Sequence, residues 1–513
     1  MDRADHPLAR PWPMAAAVAG VAAGAAALGA AELLAGLLPG AASPIIAIGD
    51  FVISLQPPGA KQFIVDLFGE ADKLLLNLFI VAVALAVAAG LGIVARTRGD
   101  LARIGFAGFG LLALGASLRA PLAAPLTSLI VAVVAVVVAI VVLGWLLRRG
   151  TGPAAAEMPA WGRRRFLVQS GAIVAAAAGS GVLGRVLLDR GRVAAIPVAL
   201  PEAESTAAPL PGGVSLDVAD LSPIVTPNER FYRIDTALLV PRPDIATWRL
   251  RVTGMVDRPL ELTYDELVAR PLVEQYVTIA CVSNEVGGNL VGNALWRGVR
   301  LKDLLEEAGV RPESTQIVGR AVDGFTVGFP TVWALADDRE ALVAVGMNGD
   351  PLPADHGYPA RLIVPGLYGY VSATKWLTEI ELTTLDAFDA YWIPLGWAKE
   401  APILTQSRID TPRDGASVSA GTVPIAGVAW APDRGIAGVD VQVDDGTWQP
   451  AELSAAISDA TWLQFLHRWD ATPGEHTIRV RATDGTGEVQ TDETSRPAPD
   501  GARGHHTIRV RVS

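Results

Sequence analysis

Cysteine is almost absent: Cys281 is the only one in 513 residues. No disulfide can close within the chain, and no zinc or iron–sulfur site needing several thiolates can be built from it. Histidine is scarce too. His6, His356, His467, His476, His505 and His506 all lie outside the long apolar runs, and no Cys-x-x-Cys-His motif occurs. No haem is therefore expected on this chain. Charged residues make up only 19% against 51% hydrophobic, with mean hydropathy +0.36. That balance excludes a disordered chain and is too apolar for an ordinary soluble one. The net charge is −11 but divided: residues 1–192 hold 16 basic and 10 acidic residues, and the remainder is strongly acidic. An acidic remainder argues against a nucleic-acid partner, because phosphates call for Lys/Arg surfaces.

What is present is apolar length. Five runs, at roughly 14–38, 74–95, 101–118, 126–147 and 166–188, approach the ~20 residues that cross the hydrocarbon core as a helix. Residues 1–190 therefore read as a multi-pass membrane region with lipid as its surroundings. Segment 45–55 is too short to span and is expected to be an external or interfacial loop. With a cytoplasmic N-terminus, the inner segments hold Arg3, Arg10, Arg96, Arg98, Arg103, Arg148, Arg149, Arg163, Arg164 and Arg165, and the outer ones Lys61, Lys73 and Arg119. This bias and an odd number of spans place the rest of the chain on the extracytoplasmic side of the cytoplasmic membrane. The last run opens Arg163-Arg164-Arg165-Phe166-Leu167, which resembles a twin-arginine export signal. Glu32, inside the first run, is expected to snorkel to the interface near Pro39.

Residues 191–215, rich in Ala, Pro, Glu and Gly, read as a linker. Across 216–390, β-type runs alternate with helical ones. Thr263-Tyr-Asp-Glu266 is a capping box, and Leu301–Ala308 is a short amphipathic helix stopped by Gly309. The pattern implies an α+β domain. Residues 400–513 carry alternating strands, a hairpin signature at Asp445-Gly446, and the run His476-Thr-Ile-Arg-Val-Arg481 repeated at His506–Arg511. They imply an immunoglobulin-like β-sandwich, whose repeated hexapeptide is expected to be two similar strands. The fold class is thus multi-domain: transmembrane helices, an α+β domain and a β-sandwich.

Cys281 follows a β-type run and precedes the Gly-rich Val282-Ser-Asn-Glu285-Val-Gly-Gly288. A lone cysteine in that setting is compatible with an inert buried thiol, with a nucleophile that needs a His base, and with a soft-metal ligand. Further segments accompany it: Thr226-Pro-Asn228 to Phe231-Tyr232-Arg233, Gly292-Asn293-Ala-Leu-Trp296, Asp355-His356-Gly357 to Arg361, and Lys375-Trp376. Together these motifs resemble the sulfite oxidase family of molybdopterin enzymes over roughly residues 216–385, and the C-terminal sandwich resembles that family's dimerisation domain.

The resemblance implies a molybdenum–molybdopterin cofactor at an oxo-molybdenum centre, with Cys281 as the metal's thiolate ligand. His356, Arg361 and Lys375 would hold the pterin phosphate, and Asn228, Tyr232, Arg233 and Asp323 would line the pterin. Glu285 is a candidate proton relay beside Cys281. The implied activity is oxygen-atom transfer on a small molecule, with electrons passed to an external carrier, in a homodimer formed through the C-terminal domain. The chain also departs from the family. Ile234-Asp235 replaces a substrate-binding arginine segment, Glu285 follows Asn284 where the family has an arginine, and Trp397 stands near the position of the active-site tyrosine. Acids in place of arginines imply a substrate other than sulfite. The alternatives are an S-oxide or N-oxide reductase of the same fold and a catalytically silent membrane-anchored binding module.

Overall fold

The computed structural model describes residues 13–55, 72–120, 122–150, 159–191, 200–337 and 339–513. Expectations resting on Arg3, Arg10, Lys61 and linker residues 192–199 lie outside the described residues. The chain divides into two compact units, Met1–Ile196 with Ala237–Leu239, and Pro197–Thr236 with Val240–Ser513.

The first unit is helical: α1 (Pro13–Leu37), α2 (Pro44–Ser54), α3 (Asp72–Ala95), α4 (Gly99–Ser117), α5 (Pro125–Gly150) and α6 (Pro159–Gly191). All except α2 are long and apolar enough to cross a membrane. Small residues set their spacing. Gly20 of α1 lies against Ala88 and Gly92 of α3, and Gly29 and Gly36 lie against Ala177 and Gly184 of α6. Backbones approach closely where no side chain intervenes, which is how helices associate without a hydrophobic drive between them.

Two expectations change here. Segment 45–55 is the helix α2, not a loop. Pro44 fills a first-turn position where no N–H is needed, and the Ser43 hydroxyl accepts from Ile46 N. Glu32 does not snorkel. It is 5% exposed and accepts hydrogen bonds from Ser43 Oγ (2.7 and 2.9 Å) and Ile45 N (3.4 Å). Its carboxylate ties α1 to the positive end of α2.

The second unit starts with ten strands: β1 (Arg249–Gly254), β2 (Leu260–Thr263), β3 (Leu272–Ala280), β4 (Val291–Arg300), β5 (Gln316–Ala321), β6 (Thr326–Pro330), β7 (Leu342–Met347), β8 (Asp350–Pro351), β9 (Arg361–Ile363) and β10 (Leu377–Thr383). Helices α7 (Tyr264–Val268), α8 (Leu301–Ala308), α9 (Val332–Leu335) and α10 (Gly369–Ser372) connect them. One sheet runs β2-β1-β10-β5-β6; the other runs β3-β4-β7-β8, with β9 also on β7. The capping box forms, as Thr263 accepts from Glu266 N and Glu266 accepts from Thr263 N. Leu301, Leu304, Leu305 and Ala308 bury one face of α8, and Gly309 ends it in the left-handed region at φ +70°. Part of the expected linker is bound to this sheet instead of standing free. Glu274 N donates to Ser205 O (2.9 Å), and Glu204 N to Leu272 O (2.8 Å).

The C-terminal part is entirely β: β11 (Gln406–Thr411), β12 (Ser417–Val418), β13 (Gly421–Trp430), β14 (Ile436–Val443), β15 (Gln449–Pro450), β16 (Glu452–Leu453), β17 (Leu463–Ala471), β18 (Gly474–Asp484) and β19 (His506–Val512). The sheets β11-β13-β17-β16 and β12-β19-β18-β14-β15 share one apolar core, including Ile425, Phe465, Val441, Val480 and Ile508. The two copies of the repeated hexapeptide are neighbours: Ile478 of β18 pairs with Ile508 of β19.

Candidate active site

Strand β3 ends in four buried residues and delivers Cys281, 7% exposed, into a loop that folds back on itself. Cys281 N donates to Leu290 O (2.9 Å), Asn284 N to Cys281 O (3.0 Å), and Leu290 N to Asn284 Oδ1 (2.7 Å). Gly287 takes φ +79°, a conformation that side-chain-bearing residues rarely adopt.

Cys281 opens on a cavity with about 690 Å³ of empty space, part of it open to solvent. One wall is the segment after the 3₁₀ turn Asn228–Arg230, contributing Phe231, Tyr232, Ile234 and Asp235. Asp323 and Phe325 come from the β5–β6 turn, and Arg361 from β9. Tyr370, Lys375, Trp376 and Trp392 complete the wall.

The cations are its main feature. Arg361 is 3% exposed, and its Nη1 donates to His356 O (2.9 Å). Its Nε is buried without a partner, and its guanidinium lies 5.0 Å from the Trp296 ring centre. Among the described residues it has no carboxylate partner. Lys375 Nζ donates to Asp235 Oδ2 (3.2 Å) and Asp355 O (3.0 Å). His356 Nε2 donates to Asn228 O (2.8 Å), while its Nδ1 is buried without a partner. Burial pushes all three toward their neutral forms: Arg361 down to about 10, Lys375 to about 8 against the pull of Asp235, and His356 to about 4. Burial also raises the Asp323 carboxyl and the Tyr232 phenol.

Of the residues expected at the site, Tyr232, Cys281, Asp323, Arg361 and Lys375 line one cavity, with His356 directly behind Arg361. The others do not line it. Asn228 is turned to the β7–β8 hairpin, its Nδ2 donating to Met347 O (3.3 Å) and its Oδ1 accepting from Asn348 (2.8 Å). Arg233 is 42% exposed in an ion pair with Asp235 (3.2 Å). Glu285 is exposed, because the loop turns after Asn284. The sequence reading named Asp235 only as an acid in place of a substrate-binding arginine, and it did not place Phe325, Tyr370 or Trp392 at the site. Asp235, an acid in an apolar segment two residues after Arg233, was the one legible signal. Trp397 packs against Trp392 and Tyr370, with ring centres 6.3 and 5.8 Å away.

The donor set fits an anionic, metal-carrying pterin. A buried guanidinium without a carboxylate partner among the described residues is what a phosphate terminus would satisfy, and the orphaned Nδ1 of His356 becomes a second donor when an anion draws a proton onto the ring. No group of three or more His, Cys, Asp or Glu side chains among the described residues could hold a metal ion. A metal beside Cys281 would take its other ligands from the cofactor, and a dithiolene supplies them.

Comparison with known proteins agrees. The family described as "Oxidoreductase molybdopterin binding domain" matches residues 237–392. "Sulfite oxidase, mitochondrial" of Mus musculus is 34% identical over 318 residues, 52% of this chain and 57% of that protein. "Nitrate reductase [NADH] 1" of Oryza sativa subsp. japonica is 35% identical over 178 residues, 30% of this chain and 19% of that protein. "Uncharacterized oxidoreductase YuiH" of Bacillus subtilis (strain 168) is 36% identical over 169 residues, 32% of this chain and 82% of that protein. The chain belongs to the sulfite oxidase family of molybdopterin oxidoreductases. It spans about half the length of the curated sulfite oxidases it matches. The matched range holds the cavity lining from Ile279 to Trp392, while Phe231, Tyr232, Ile234 and Asp235 precede it, and helices α1–α6 lie outside it.

Proposed function

We propose that this chain is a membrane-anchored oxidoreductase that transfers an oxygen atom between water and a small molecule, with Cys281 as thiolate ligand to a molybdenum–molybdopterin group. The observation that carries this is the buried Arg361, which lines a cavity shared with the only thiol in the chain and has no carboxylate partner among the described residues. A bound molybdenum–pterin group supplies two-electron oxygen-atom exchange. The chain's own residues do the rest. Arg361, Lys375 and His356 hold the anionic end, Tyr232 and Asp323 orient the ring system, and Phe325, Tyr370 and Trp392 exclude water around the reacting molecule. Electrons leave singly to an external carrier, and the C-terminal sheets form an immunoglobulin-like dimerisation surface. Five membrane-length helices and the arginine bias support anchoring with the second unit on the outer face.

The substrate in this reading is not sulfite. Arg361 and Lys375 are the only Lys or Arg side chains among the described lining residues, and both are assigned to the cofactor. Asp235 and Asp323 would repel a small dianion. The aromatic lining favours a neutral organic S-oxide or N-oxide, which makes reduction of such oxides the second reading. X-ray absorption at the molybdenum edge tests the ligand assignment. Cys281→Ser should lose one sulfur from the coordination shell while the circular dichroism spectrum is kept. An unchanged sulfur count would overturn it. Parallel assays with sulfite and with methionine sulfoxide separate the substrate readings.

A further inference from the structure

The Cys281 loop is held by its own hydrogen bonds and also by the C-terminal part of the chain. β3 is the end strand of its sheet, paired along its length with β4 and, at the start of its other edge, bonded to Glu204 and Ser205. Nearer its end, Thr278 N donates to Ala460 O (2.9 Å) and Thr278 Oγ1 accepts from Trp462 N (2.8 Å). Beyond Cys281 the grip comes from two side chains of the C-terminal part. Arg408 of β11 is 8% exposed. Its Nη1 donates to Gly288 O (2.8 Å), its Nη2 to Ser222 Oγ (2.9 Å) and its Nε to Asp410 Oδ1 (2.7 Å). His506, the first residue of β19, accepts from Ile409 N at Nδ1 (3.0 Å). The far edge of its ring presses on Gly287, where a Cβ would stand 2.3 Å from both Cδ2 and Nε2. The loop therefore needs glycine at 287 for two reasons, its φ and this ring.

We propose that Arg408 and His506 are positioning residues for Cys281. They clamp the 281–290 loop at Gly287 and Gly288, and so fix where the thiolate sits in the cavity. The inference rests on the reading of Cys281 as metal ligand for its functional meaning, but the clamp itself can be measured without metal. A ligand thiolate has to be held within about 0.5 Å of its working position. The loop's own bonds hold Cys281, Asn284, Leu290 and the Gly288 N–H, while the Gly288 carbonyl and the open face of Gly287 are met by Arg408 and His506 of the C-terminal part. That part is then a component of the site as well as a surface for a second copy.

The test uses the full chain in detergent, made without cofactor and also loaded. His506→Asn is the decisive variant. Its Oδ1 takes the place of Nδ1 and keeps the Ile409 N–H satisfied, while the ring edge on Gly287 is gone. Arg408→Lys keeps a cation beside Asp410 but cannot reach all three acceptors, and Arg408→Ala removes the grip. In cofactor-free protein, alkylation of Cys281 by iodoacetamide should speed up about tenfold in His506→Asn and Arg408→Ala, with Arg408→Lys in between. In loaded protein the electron paramagnetic resonance spectrum of Mo(V) should shift in the same order. A native alkylation rate in His506→Asn, folded as judged by its melting curve, overturns the clamp even where Arg408→Ala fails to fold. Wild-type protein without molybdenum overturns the ligand reading instead, and the alkylation rates still decide the clamp.

Discussion

Arg361 is the residue on which the site turns. A guanidinium 3% exposed with no carboxylate partner among the described residues is costly in the empty protein and favourable only when an anion arrives. Arg361→Met should leave the melting temperature of cofactor-free protein unchanged or raised. The same change should cut cofactor retention about 10- to 100-fold, the loss of one or two charge-assisted hydrogen bonds. A differential melt and a pterin assay on one preparation check both. His356 gives a pH signature. Its folded value, about 4, lies below the ordinary 6.5, so the unfolded chain takes up the proton first. Stability of the cofactor-free protein should fall as pH drops from about 6.5 through 4, and His356→Gln should flatten that limb in acid melts. Arg361 and Lys375, which line the cavity, were legible because they sit in motifs a few residues long, and His356 in the same motif bonds Arg361 through its carbonyl. Asn228 and Arg233 sit in such a motif too, but their side chains point to the β7–β8 hairpin and to Asp235, and direction is a tertiary property. Phe325 and Trp392 were missed at the site because no local pattern says that separate segments meet at Cys281.

Elements follow the sequence where a local cause sets them. The Thr263–Glu266 capping box and the Gly309 stop needed only spacing and a left-handed φ, and both are present. Thr263→Ala should cost about 1 kcal/mol, read as a lower denaturation midpoint of the second unit. α2 was missed because eleven residues are too few for a spanning signal, and its cap at Ser43 works together with Glu32, eleven residues upstream. In α1 and α6 small residues were visible, but not which of them touch. Gly184→Val would place a branched side chain where even a Cβ stands 2.3 Å from Glu32 O. It should lower the melting temperature in detergent by the equivalent of about 1–3 kcal/mol. The metal content of the second unit should be unaffected, which atomic emission can verify.

At the scale of the whole molecule, an apolar basic helical unit is joined to an acidic unit that carries the only thiol. If the arginine bias sets the orientation, everything after α6 faces outward. Ser513→Cys in a Cys281→Ser background should then label with a membrane-impermeant maleimide on intact cells, and labelling only after lysis would reverse the topology. The central claim is the cofactor, and molybdenum content decides it. Full-length protein, purified in detergent from a host that makes molybdopterin, should carry about one molybdenum and one extractable pterin per chain. Arg361→Met should carry far less. A well-folded wild-type chain with neither metal nor pterin would contradict the account and leave the second unit as a silent binding module.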